Sequence, residues 1–133
     1  MRLNHLDLHV PDVAAARDFF VDVFGLKMIE TRGRDGLVIL NDDAGLELIL
    51  SRPVEKFGGA DAISVGANTY HIGFLLPERE LVDASYARLI GSGYEAQHEP
   101  RAIRGGWLFY AVGPGRILVE VAWRPTTVPI PPH

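Results

Sequence analysis

Two histidines and two glutamates, each in a stretch that alternates apolar and polar residues, are the side chains of this sequence best suited to bind a metal. They are His5 in LNHLDLHV, Glu47 in GLELIL, His71 in YHIGFLL and Glu120 in RILVEVAW. A glutamate flanked by leucine or valine is costly to bury alone, and a divalent cation offsets that cost. Two imidazoles and two carboxylates suit one six-coordinate Ni²⁺, Co²⁺, Mn²⁺, Fe²⁺ or Zn²⁺ ion, with two positions left for water or substrate.

Two further polar residues share a strand face with His5 and compete for its role. They are Asp7 and His9, which follow His5 at the two-residue spacing of a β-strand. The positions that correspond to them in the second half of the chain are Gly73 and Leu75. We therefore interpret Asp7 and His9 as residues that surround the metal site and His5 as the ligand.

The elements that carry these residues occur twice. In the first half, a strand over 3–10 ends at Pro11, Asp12 caps a helix that closes at Gly25, and three strands follow. Those strands are predicted near 26–31, 36–41 and 45–51. In the second half, a strand over 70–76 ends at Pro77, Glu78 opens a helix, and strands follow near 94–98, 106–112 and 116–123.

The two halves align at an offset of 66 residues. This offset places His5 on His71, Pro11 on Pro77 and Gly25 on Gly91. The repeat predicts an α+β fold of two tandem βαβββ modules, at about 1–51 and 70–124, within one domain over 1–124. Glu120 follows Glu47 by 73 residues, so the second module carries seven extra residues, which we assign to a loop over 97–105.

Two segments fall outside the modules. Residues 52–69 link the two halves, and residues 125–133 form a proline-rich tail that should lie extended on the surface. A link of this length without clear structure is usually functional or a crossover.

Composition limits the kinds of partner that the protein can bind and the compartment in which we expect it. The chain has 133 residues and a net charge of −4, which argues against binding to nucleic acid, and it contains no cysteine, which excludes thiolate metal ligands. No apolar stretch approaches the roughly 20 residues that cross a bilayer. A cytoplasmic enzyme or binding protein that acts on a small molecule is therefore the expectation.

The opening segment resembles the vicinal oxygen chelate superfamily, which includes glyoxalase I, extradiol dioxygenases, fosfomycin-resistance transferases, methylmalonyl-CoA epimerase and the metal-free bleomycin-resistance proteins. LNHLDLHVPDVAAARDFFVDVFGLKMIE is similar to the family's first strand, helix and Gly-Leu ending, and the resemblance extends over 3–123. It implies metal ligands at His5, His71 and Glu120. Glu47 matches a fourth position that glyoxalase I uses, so the ligand set is most similar to that of bacterial glyoxalase I.

One departure from the family concerns the last strand. The family often has Asp-Pro-Asp-Gly before that strand, with the glutamate four residues after the glycine. Here the turn is Val112-Gly113-Pro114-Gly115, and Glu120 comes five residues after Gly115. Relative to that family pattern, Glu120 is displaced along the chain by one residue.

Three functions fit the resemblance. The first is a metal-dependent lyase or isomerase, in which the metal holds two adjacent substrate oxygens and Glu120 or Glu47 acts as the base. The second is an extradiol dioxygenase with Fe²⁺ on His5, His71 and Glu120, and with His9 or Tyr110 as the acid–base group. The third is a metal-free protein that binds an apolar drug on an aromatic surface of Trp107, Phe109, Tyr110 and Trp123.

The resemblance also implies a homodimer. One βαβββ module makes a half-open sheet that needs a second module to complete a cup. The glyoxalase I and fosfomycin-resistance members pair modules across two chains, and the link over 52–69 is long enough for this. Each shared site would then take His5 and Glu47 from one chain and His71 and Glu120 from the other.

Overall fold

The computed structural model of the chain describes residues 1–34, 36–53 and 71–125, and it confirms an α+β fold of two βαβββ modules. The first module runs β1 (His5–His9), α1 (Val13–Phe24), β2 (Lys27–Arg32), β3 (Leu37–Asn41) and β4 (Glu47–Ser51). The second runs β5 (Ile72–Leu75), α2 (Arg79–Gly91), β6 (Glu95–Ala96), β7 (Arg101–Ile103), β8 (Gly106–Val112) and β9 (Leu118–Trp123). Most of the predicted link and of the proline-rich tail lies outside the described residues.

The chain divides into two compact units that follow these modules. The first unit contains β1 to β4 with α1 and also includes residues 113–118, which lie far along the chain. The second unit contains residues 71–112 and continues from Val119. Within the described ranges, no helix is long and apolar enough to cross a membrane.

The first sheet has the order β1-β4-β3-β2, with β1 parallel to β4 and the other pairs antiparallel. Side chains alternate between its two faces, since successive residues of a strand project to opposite sides. Leu48 and Leu50 of β4 are buried on the face that α1 covers. Glu47 therefore projects from the opposite face.

Helix α1 begins and ends where the sequence predicts. Asp12 is its N-cap, and the backbone N–H of Ala15 donates to the Asp12 carboxylate over 3.0 Å. Gly25 closes it in the left-handed conformation, with φ of 70°. Between these ends, Phe19 and Phe20 are fully buried with their rings edge-on at 5.1 Å, which fixes the helix on the sheet.

The second sheet has the order β5-β9-β8-β6, and β7 pairs with β8 at its side. The assignment of residues 97–105 to a loop is wrong for Arg101–Ile103, which forms a hairpin with the start of β8. Arg104 and Gly105 make the turn between Ile103 and its partner Gly106, with φ of 50° and 77°. Two positive φ angles in a two-residue loop are typical of the type I′ turns that suit hairpins.

The turn between β8 and β9 packs on α1, within the first unit. A Cβ atom added at Gly113 would lie 2.7 Å from a ring carbon of Phe19, and one added at Gly115 would lie 2.9 Å from Pro11. The backbone at Gly113 has φ of −91°, which any residue can adopt, so its constraint is steric alone. Close approach to the buried Phe19 ring therefore requires glycine at position 113.

We expect Gly113→Ala to lower the free energy of unfolding by about 1–3 kcal/mol, because the added methyl group clashes with the Phe19 ring in a packed core. Urea unfolding followed by circular dichroism measures this change. Gly91→Ala is the matched control. No atom lies within 4 Å of its added Cβ, so it should be neutral or raise stability by up to about 1 kcal/mol. Equal effects of the two substitutions would contradict the steric account.

Candidate metal site

His5 and Glu47 lie side by side on the first sheet. They are Cα partners in the parallel pairing of β1 with β4, where strands run about 4.8 Å apart, and both project away from α1. Glu47 is half-buried, and its carboxylate has no hydrogen-bond or ion-pair partner among the described residues. We call this pair the first half-site.

The His5 ring is held by its neighbour in a way that suits metal binding. Its Nδ1 atom lies 3.2 Å from the Asn4 amide oxygen Oδ1. When Nδ1 carries the proton and donates it to that oxygen, Nε2 keeps its lone pair and can bind a cation. Asn4 is thus the residue that would set the tautomer of His5.

Four other polar residues, Asp7, His9, Asn41 and Ser51, line the same face. The Ser51 hydroxyl donates to Asp7 Oδ1 over 2.7 Å, and Ser51 is also the register partner of His9. This bond occupies part of the Asp7 carboxylate, in keeping with its interpretation as a surrounding residue. Asn41, the last residue of the strand predicted near 36–41, is the register partner of Glu47 on its other side.

Glu120 lies on the second sheet beside a glycine. Its Cα partner on β5 is Gly73, and a Cβ atom added there would lie 3.5 Å from the Glu120 carboxylate. His71 lies two residues before Gly73. Glu120 therefore stands two residues further along its strand than a strict repeat of the first half-site requires. We call His71 and Glu120 the second half-site.

Tyr110 connects the residues of the second half-site. Its hydroxyl donates to Glu120 Oε1 over 2.9 Å, and its ring meets the His71 ring edge-on at 5.2 Å. The centre of the His98 ring lies 5.9 Å from the centre of the Tyr110 ring. Burial, and then the hydrogen bond to Glu120, raise the pKa of Tyr110 above the ordinary value of 10.0. Sequence reasoning had no signal for His98, which belongs to no recognisable spacing.

Each unit thus brings together part of the predicted ligand set. His5 lies beside Glu47 in the first unit, while Tyr110 contacts both His71 and Glu120 in the second. In the part of the chain that the structure describes, no three His, Cys, Asp or Glu side chains gather closely enough to hold a metal ion. Binding by all four residues remains a prediction.

The three aromatic residues of β8, Trp107, Phe109 and Tyr110, do not share one face of the strand. Phe109 is fully buried and meets the Tyr86 ring of α2 at 5.4 Å. Trp107 donates its indole N–H to Asp83 of α2 over 2.8 Å, and the Arg79 guanidinium lies 3.7 Å from the centre of its ring. The Tyr110 side chain projects from the opposite face of β8 and donates a hydrogen bond to Glu120. The structure therefore gives no continuous aromatic patch on β8.

This fold defines a class of protein: two βαβββ units, each with its first and last strands parallel and polar residues on the face away from the helix. The sequence model that defines the Glyoxalase/Bleomycin resistance protein/Dioxygenase superfamily matches residues 2–121. The chain therefore belongs to this family. The resemblance seen in the sequence is therefore confirmed. Members of the superfamily typically bind a divalent metal and small molecules, and they are typically dimeric.

Solved structures with the same fold support this assignment. A structure described as a possible glyoxalase from Bacillus cereus is 33% identical, with a TM-score of 0.75 over 91% of this chain and 97% of that one. A lactoylglutathione lyase from Agrobacterium tumefaciens is 24% identical, with a TM-score of 0.72 over 92% of both chains. A glyoxalase-related enzyme from Fulvimarina pelagi is 18% identical, with a TM-score of 0.78 over 94% of this chain and 89% of that one. A search of curated protein sequences gives no match.

We expect Tyr110→Phe to lower the free energy of unfolding by about 1–3 kcal/mol at neutral pH, because it removes a hydrogen bond to a carboxylate. The pKa of Tyr110 is higher in the folded protein than in the unfolded chain. The stabilisation that the Tyr110 hydroxyl provides is therefore complete below pH 10.0 and is lost as the pH rises through the raised pKa. Chemical unfolding at several pH values measures both effects.

Tyr86→Phe is the control for this experiment, because Tyr86 contacts Phe109 through its ring and its hydroxyl has no hydrogen bond to a described residue. It should change stability little at any of these pH values. A Tyr110→Phe protein as stable as the wild type at neutral pH would contradict the hydrogen bond.

Proposed function

We propose that the protein is a metal-dependent lyase or isomerase of the glyoxalase I type, acting on a small substrate with two adjacent oxygen atoms. This proposal depends on the pairing of His5 with Glu47. Glu47 is the residue that makes a set of four metal ligands rather than three. The 33% identity to a possible glyoxalase from Bacillus cereus supports it.

The side chains present fit a divalent cation. Glu47 is a half-buried carboxylate without a partner among the described residues, and a cation on that face would offset the cost of its burial. His5, Glu47, His71 and Glu120 would hold the ion. When bound, a divalent cation supplies Lewis-acid polarisation of the substrate oxygens, which lowers the pKa of the neighbouring C–H group.

The two glutamates are suited to different tasks. Glu120 accepts a hydrogen bond from Tyr110, which orients its carboxylate and occupies one of its oxygen atoms. Glu47 accepts no such bond from a described side chain, so its carboxylate is the more available base. We assign to Glu47 the transfer of the proton between adjacent substrate carbons and to Glu120 a fixed position in the site.

An extradiol dioxygenase is the second candidate, and one observation favours it. Tyr110 and His98 lie beside His71 and Glu120, which are two of the three iron ligands that this reaction would use. A tyrosine and a histidine there would exchange protons with a catechol. O₂ uptake by the Fe²⁺-loaded protein with catechol would favour this function over the lyase.

We expect the wild-type chain to take up about one divalent ion, and Glu47→Gln to weaken this binding at least tenfold. Glutamine keeps the shape and one donor oxygen but removes the negative charge that faces the cation. Titration calorimetry with Ni²⁺, Co²⁺, Mn²⁺, Fe²⁺ and Zn²⁺ in turn measures the affinity. Glu95→Gln, an exposed glutamate of β6, is the control and should bind the metal as the wild type does.

The result for Glu47→Gln separates the two enzyme classes. An unchanged metal affinity would remove Glu47 from the ligand set and favour the three-ligand dioxygenase. A wild-type protein that binds none of the five ions would leave a metal-free binding protein as the remaining function.

We also propose a cytoplasmic homodimer whose two sites are each shared between chains, with His5 and Glu47 from one and His71 and Glu120 from the other. When His5→Ala and Glu120→Ala chains exchange subunits, one site of the heterodimer collects both defects and the other is fully wild type. We therefore expect tight metal binding to return to about half of the sites in the heterodimer. Calorimetry on heterodimers identified by native mass spectrometry measures this return.

Two results would contradict the shared site. Heterodimers that regain no tight binding would mean that each chain carries a whole site of its own. A wild-type chain that sediments as a monomer would exclude sharing without any mutant. The Glu95→Gln chain, mixed in the same way with wild type, controls for effects of the exchange procedure.

A further inference from the structure

One transverse row of side chains crosses all four strands of the first sheet. Lys27 of β2 is the register partner of Asn41, Asn41 is the partner of Glu47, and Glu47 is the partner of His5. Paired residues of neighbouring strands project on the same face of a sheet. Asn41 therefore flanks the first half-site on the side opposite His5.

The amide oxygen of Asn41 is the unusual atom of this row. Asn41 Oδ1 is buried and accepts no hydrogen bond, and it is the only buried side-chain polar atom in this state among the described residues. A buried acceptor without a donor destabilises a folded protein, and most such groups in native structures have a partner. This atom therefore requires a donor that the described residues do not provide.

The described neighbours of Asn41 do not supply that donor. The Lys27 ammonium lies 3.4 Å from the Asp43 carboxylate, and its side chain is 72% exposed. Glu47, on the other side, is an acceptor when ionised. The Asp42 carboxylate already accepts the backbone N–H groups of Ala44 and Leu46 in the hairpin loop. Asn41 Oδ1 and the Glu47 carboxylate, two acceptors without a partner among the described residues, thus belong to register partners on one face of the sheet.

We infer that Asn41 determines specificity by accepting a hydrogen bond from a hydroxyl group of the bound substrate, and this inference rests on the proposed function. Glu47 and the cation would account for the charge in the row, so a neutral hydroxyl donor is the group that suits the amide oxygen. The substrate class is then one with a hydroxyl among its adjacent oxygens, such as an α-hydroxy carbonyl or α-hydroxy acid. A dicarbonyl offers no donor and leaves Asn41 unpaired.

Lactate and pyruvate test this inference, because each presents two adjacent oxygens and only lactate has a hydroxyl donor. Titration calorimetry on the metal-loaded full chain compares pyruvate with each enantiomer of lactate. We expect one lactate enantiomer to bind about three- to tenfold more tightly than pyruvate, the range that one neutral hydrogen bond provides. In Asn41→Leu this preference should disappear, with pyruvate affinity and metal affinity unchanged.

A second measurement uses the metal-free protein. Leucine has nearly the shape of asparagine and no polar atom, so Asn41→Leu should raise the temperature of thermal unfolding above that of the wild type. A structural role for Asn41 predicts the opposite change. Ile39→Leu, on the same strand and face, is the control and should leave the lactate preference intact.

The outcomes separate this inference from the proposed function. Intact metal binding with equal affinity for lactate and pyruvate, or an Asn41→Leu protein that unfolds at a lower temperature, would overturn the role of Asn41 alone. Failure of the wild type to take up metal would overturn the proposed function and this inference with it. Should Asn41→Leu fail to fold, Asn41→Ala removes the same acceptor, and a lactate preference that persists in it would overturn the inference.

Discussion

Parallel pairing between the first and last strands of each module is the constraint on which the rest of the structure depends. Glu47 follows His5 by 42 residues, yet the two are neighbours because a helix and two strands return the chain to its starting strand. Parallel neighbours always need such a long crossover. A slip of one residue would turn Glu47 towards α1 and Leu48 outward, so the buried leucines fix the position of the carboxylate.

The two modules share this topology but not its register. In the first, His5 and Glu47 are direct partners, whereas in the second Glu120 is paired with Gly73. The glycine leaves room for the carboxylate, and Tyr110 then binds it from β8. A duplicated fold has thus produced one carboxylate without a described partner and one that is held, which gives chemically different halves from similar sequences.

Much of this arrangement could be predicted because local rules govern it. Alternation placed β8 at 106–112 and set Glu47 opposite the leucines, while the capping rules placed Asp12 and Gly25 at the ends of α1. Strand β7 was missed because Arg104-Gly105 is a weak signal for a type I′ turn, for which Asn-Gly or Asp-Gly is usual. The part played by Asn41 depends on pairing across a hairpin, which alternation within one strand does not reveal.

The contact between Gly113 and Phe19 has a consequence for how the protein is made. Residues 113–118 complete the packing around α1, although they follow that helix by almost ninety positions in the chain. A nascent polypeptide on the ribosome therefore cannot finish its first module when that module has been translated. It must wait until residues 113–118 have emerged, and until then the apolar side of α1 remains incompletely covered.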